Sequence, residues 1–183
     1  MTLLRSLGIL LASTILCIHG CAHDSTMPIT SRPEDPWLIR SCFSDDAKWE
    51  QLVAEATAPV VMFSNEFFAN FKPIDDRVFD GKLPLEVVNA LPDDYPQYFV
   101  LIVDEASFAP EFTVLVVSFL PQFDESYDTP PRNRVGSQIQ SFRAIPSSLQ
   151  SITNNLSIGN MEFEEFAESV DDDGVFRGFP KPE

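Results

Sequence analysis

The sequence predicts a single α/β domain of α+β-like character, with a mixed sheet of about five strands and helices packed on it. Three observations carry that prediction. Residues 98–103 and 112–120 are near-continuous β-branched and aromatic runs of strand length, the pattern of strands covered on both faces. Trp49, Leu52, Val53 and Ala56 recur at helical spacing, with Lys48, Glu50, Gln51 and Glu55 on the opposite side. The elements alternate as β-α-β-α-β-β-β-α-α, an order that builds a sheet with helices laid against it.

Taken in order, residues 1–20 read as a leader. Arg5 precedes an apolar run over 7–18 that is too short to span a membrane. Ile18, Gly20 and Cys21 fit a bacterial lipoprotein box, with His19 where a small or apolar residue is usual, so Cys21 is the expected lipidation site. Simple cleavage after Ala22 is one alternative, and a cytoplasmic chain starting at Met27 is the other. Residues 21–36 are rich in Ser, Thr, Pro and charge and read as a flexible tether, leaving 37–179 as the domain.

A first strand is expected over 37–43, and Ser44-Asp45-Asp46 supplies a helix start because their side-chain oxygens accept free first-turn amides. Pro59 stops that helix, and residues 60–63 read as the second strand. A short helix follows over 83–91, with Pro84 in its first turn and Pro92 closing it. The two confident strands over 98–103 and 112–120 are joined by a link short enough for a hairpin-like return. Proline and arginine over 121–140 predict a mobile surface loop. A strand over 141–145, a helix beginning at Pro146, and a last helix from Asn160 through Val170 complete the domain; Phe163, Phe166, Ala167 and Val170 form the buried stripe of the last.

Of 183 residues, 28 are acidic and 12 basic, a net charge of -16, and both histidines lie at positions 19 and 23. The domain therefore lacks the imidazole that Ser-His-Asp, Cys-His and histidine metal sites require. Seven glycines form neither a dinucleotide nor a triphosphate cradle, so no cofactor is expected. Asp171-Asp172-Asp173-Gly174 fails as a calcium loop, because Ser169 and Pro180 would fill its first and last ligand positions. No metal site and no catalytic set is assigned. The Asn155-Leu156-Ser157 triplet reads as structural. Cys42 reads as a small buried hydrophobe.

Nucleic acid is disfavoured by charge; Arg132, Arg134 and Arg143 are expected to be solubilising. Asp171, Asp172 and Asp173, at the end of the last helix with Arg177 nearby, are the candidate partner surface, suited to a basic protein. Membrane contact is expected only through a lipid on Cys21. The reading is thus an exported, non-catalytic binding module with an acidic surface. A carboxylate-based, possibly metal-dependent enzyme using Asp104 or Glu105 is the first alternative, and a structural envelope lipoprotein the second.

Phe43-Ser44-Asp45-Asp46-Ala47-Lys48-Trp49 and the run from Asn154 to Ala167, continuing through Asp171 to Phe179, resemble the blocks of a bacterial family known only as domain of unknown function 6924. The resemblance spans 37–179 with a similar order of elements and implies no activity or catalytic residue. The leader and the proline-rich 121–140 loop depart from the family pattern.

Overall fold

The computed structural model describes residues 31–119 and 139–179. Within them the chain forms β1 (Trp37–Arg40), α1 (Asp46–Thr57), β2 (Val60–Met62), β3 (Asn65–Phe67), β4 (Lys72–Ile74), α2 (Pro84–Asn89), β5 (Phe99–Val103), β6 (Val114–Ser118), β7 (Gln140–Ala144), α3 (Leu149–Leu156), α4 (Phe163–Ala167) and β8 (Val175–Phe176). Short 3-10 turns at Arg77–Phe79, Glu105–Phe108 and Pro146–Ser148 connect them. Six strands make one mixed sheet in the order β4-β1-β5-β6-β7-β8, and β2 and β3 form a separate two-stranded sheet. The domain is therefore a single α/β unit, as the sequence predicts.

Both faces of the sheet are covered, which explains the unbroken apolar runs. Along β5, Phe99, Leu101 and Val103 pack toward α1, α3 and α4, while Val100 and Ile102 face α2 with Phe79 and Tyr95. Burial raises the Tyr95 hydroxyl above its ordinary value; the hydroxyl donates to Phe99 O at 2.8 Å and accepts from Trp37 N at 3.1 Å. Asp45 caps α1, accepting from Lys48 N at 3.0 Å, and Pro84 opens α2.

Four expectations are corrected. Residues 60–62 are a strand, but one paired antiparallel with β3 outside the main sheet. The sheet gains β4 and β8, whose two or three residues give periodicity nothing to act on. The first strand ends at Arg40, because Ser41 N still bonds Val103 O at 2.8 Å but the chain then turns to cap α1. The last helix stops at Ala167 and not Val170, so the aspartates lie in a turn beyond it. Of the loop expected over 121–140, residues 121–138 lie outside the described residues, and Gln140 opens β7. Residues 1–30, with Cys21 and Met27, also lie outside them.

Candidate functional site

β1 pairs in parallel with β4 on one side and β5 on the other. The chain leaves β1 toward β4 and later crosses to β5, so the carboxyl end of β1 is a topological switch point, where open sheets of this kind hold ligands. Arg40 is the last residue of β1 and shares the face of Leu38, beneath α1. It is only 2% exposed.

A buried guanidinium needs its donors satisfied. Arg40 donates from Nε to Cys42 O at 3.1 Å, from Nη2 to Asp46 Oδ1 at 2.5 Å and from Nη1 to Asp75 at 3.4 Å. Its guanidinium lies 4.4 Å from the centroid of Phe43 and 5.6 Å from that of Trp49, and Arg77 stands 4.7 Å from Phe43. These side chains, with Glu50, line a cleft of about 440 Å³. Asp46 and Asp75 are themselves 76% and 50% exposed, so the arginine is covered by acids that face water. Cys42 is free and only half-buried at this rim, with its Sγ 3.1 Å from Ser44 Oγ, which corrects the expectation of a buried thiol.

Farther along the same edge, Asp104 follows β5 and caps the next turn, accepting from Ser107 N at 3.0 Å. Arg143 donates to Asp104 Oδ2 at 2.6 Å and to Thr113 Oγ1 at 3.3 Å, so it is a paired structural arginine and not a free solubilising charge. Burial pushes the Asp104 carboxyl upward, but the hydrogen bond and charge of Arg143 and the bonds from Ser107 outweigh it and hold the group below its usual value. Its folded value being depressed, Asp104 contributes stability above its unfolded value, and that contribution disappears as pH falls through the folded value. Asp104→Asn is therefore expected to flatten the acid limb of the stability profile below about pH 4, measured by denaturant unfolding at pH 7 and pH 3. An unchanged limb in the variant would contradict this. Glu105 is exposed and opens the 3-10 turn, and no acid pair forms with Asp104.

The candidate partner surface lies beside β8. Arg177 donates from Nη1 to Asp171 at 2.8 Å, and from Nη2 to Asp173 at 2.7 Å and Glu111 at 2.5 Å. Asp172 sits between the two paired aspartates, exposed. These acids do not end the last helix but belong to a separate turn, closed by Asp171 N to Val175 O at 3.0 Å and Gly174 N to Asp171 O at 2.8 Å. Gly174 has φ of 78°, a conformation that suits a residue without Cβ. Arg177 draws Asp173 down to about 2 and Glu111 below its usual value, and the three acids raise Arg177 in turn. Glu111 was invisible to local reasoning, because only the pairing of β6, β7 and β8 brings it to position 177.

Arg40, Arg143 and Arg177 thus mark one edge of the sheet, where β1, β5, β7 and β8 end and β6 begins. Arg40 and Arg177 are each shared by more than one carboxylate, so negative charge remains in excess. Among the described residues no group of three or more His, Cys, Asp or Glu side chains is arranged to hold a metal ion. The model of the family described as Domain of unknown function (DUF6924) matches residues 35–179. No curated protein and no solved structure matches this chain.

Proposed function

The chain belongs to the DUF6924 family, which supplies no activity to inherit, and from its own geometry we propose that it is a non-catalytic binding module for a basic protein. The observation that carries this reading is the oversubscription of arginine along the carboxyl edge. Asp171, Asp173 and Glu111 share one guanidinium, and each remains more than half exposed. Such an array attracts cations and steers them, while its internal pairs fix the positions of the carboxylates. Export and anchoring through Cys21 complete the proposal, with a cytoplasmic chain from Met27 as its alternative.

A test is capture by an immobilised oligolysine peptide. Converting Asp171, Asp172 and Asp173 to Asn should weaken capture by about tenfold at low salt. A control that neutralises Glu34, Glu55 and Asp94, all exposed and distant from β8, should weaken it far less. Equal losses would reduce the effect to net charge and defeat the reading.

A second reading rests on the cleft at β1. Asp46, Glu50 and Asp75 line one concavity with Arg40 and Arg77, an arrangement a carboxylate-based enzyme could use, whereas neither Asp104 nor Glu105 borders it. Turnover abolished by Asp75→Asn would favour that enzyme over the binder. An acyl group found on Cys21 by intact-mass measurement would favour a structural envelope lipoprotein.

A further inference from the structure

The β2–β3 hairpin is the least reconciled part of the surface. Phe63 at its tip is 97% exposed, Val61 is 65% exposed, and Met62, Phe67 and Phe68 are also open to solvent. Phe63 and Ser64 have φ of 49° and 65°, so a bulky side chain occupies a left-handed turn that favours Gly or Asn. Exposure and strain both oppose this arrangement, and among the described residues Asn65 Nδ2, donating to Phe63 O at 3.3 Å, braces the turn without covering its apolar side chains. Contiguous exposed apolar surface of this kind marks a contact with something else.

From this geometry we propose that the hairpin tip inserts into the interfacial region of an electrically neutral lipid bilayer. The pairs Val60↔Phe67, Val61↔Glu66 and Met62↔Asn65 put exposed apolar side chains on both faces of the hairpin. That suits a medium that surrounds the tip better than a partner that lies flat against one side. A second copy is a poor occupant, because three-residue strands paired edge to edge cover far less than the roughly 1,200 Å² of a stable interface.

Charge sets the hairpin apart from the acidic arc. Between Ala58 and Phe71 the one charged residue is Glu66, in a chain whose net charge is -16. The carboxylate arc lies at the carboxyl ends of the strands, whereas the hairpin springs from the amino ends. Its exit leads through Phe71 to Lys72, whose N bonds Pro36 O at 2.8 Å, and Asn154 Nδ2 holds Phe68 O at 3.1 Å. The described chain reaches β1 at this same edge, through Pro33 and Pro36. A tether anchored upstream would thus draw the hairpin, and not the arc of Glu111, Asp171 and Asp173, toward the lipid. Among the described residues no helix is long and apolar enough to cross a membrane, so this is contact with the interface and not a span. The inference goes beyond the acidic-edge reading and can stand if that reading fails.

The test uses the full chain and a probe at the tip itself, because the apolar run over 7–18 could bind vesicles by itself. With phosphatidylcholine vesicles carrying brominated acyl chains, the emission added by Phe63→Trp should fall by about half or more, and raising salt should not restore it. Introducing Val61→Asp into that variant should abolish the quenching. Hydrogen exchange of the unsubstituted chain should show protection over residues 60–68 on the same vesicles, a reading independent of whether the variants fold. Absence of both quenching and protection overturns the proposal. So does a solution dimer that Phe63→Asp converts to monomer, since the occupant would then be a second copy.

Discussion

Arg40→Ala is expected to destabilise the domain by about 2–4 kcal/mol, a fall of roughly 5–15 °C in Tm for a domain of this size. The residue is 2% exposed, and its side chain ties three segments together: the turn at Cys42, the first turn of α1 through Asp46, and the end of β4 through Asp75. Truncation leaves a void beneath Trp49 and removes charge-assisted bonds. It does not strand a buried charge, because Asp46 and Asp75 face water and rehydrate. The loss should therefore fall short of the larger penalties seen when a buried partner ion is left behind.

Two further variants separate the sources of that loss. Arg40→Met restores volume without charge and should recover most of the stability, since replacing a buried ion with an apolar side chain of similar size is often close to neutral. Arg40→Lys keeps charge but loses the planar fork that reaches Cys42 O and Asp46 together, and should recover less. Denaturant unfolding of the three variants supplies the ranking Met above Lys above Ala. If Lys matched the native chain while Met resembled Ala, Arg40 would act as a point charge and the packing account would fail.

The legibility of this molecule in its sequence follows the length of its elements. β5 and β6 were readable because each is buried on both faces for five residues, and α1 because its stripe runs for three turns behind a capping aspartate. β4 and β8 were not, since strands of three and two residues exist through their neighbours' hydrogen bonds and carry no period of their own. The same limit governed the site. Asp171, Asp173 and Arg177 are close enough in sequence for their pairing to be anticipated, but Glu111 joins them only across two strand pairings, β6 with β7 and β7 with β8. Arg40 carried a weak local sign: it follows Leu38 at strand spacing, which places it on the core-facing side of an otherwise apolar strand. The cleft itself needed β4 to bring Asp75 alongside, and β4 was the strand that periodicity could not see.

Phe166→Ala should have the largest effect of all, about 3–5 kcal/mol. Phe166 is 0% exposed, and its ring centroid lies 5.4 Å from that of Phe176, 5.3 Å from Phe179 and 6.4 Å from Phe142. α4 has five residues and cannot persist by its own backbone bonds, so Phe163 and Phe166 hold it to the sheet. β8 has two residues and relies on the same aromatic cluster through Phe176. Removing the central ring should loosen α4 and β8 together and let Arg177 drift from Glu111, Asp171 and Asp173. The Asp173 carboxyl, held at about 2 by Arg177, would then rise toward the ordinary value near 3.9, which carbon-detected NMR titration can follow. A conservative Phe166→Leu should lose less stability and keep Asp173 low. If Phe166→Ala destabilises the domain while Asp173 stays at its native value, the aromatic cluster supports the core but does not position the acidic edge, and the link between the two is wrong.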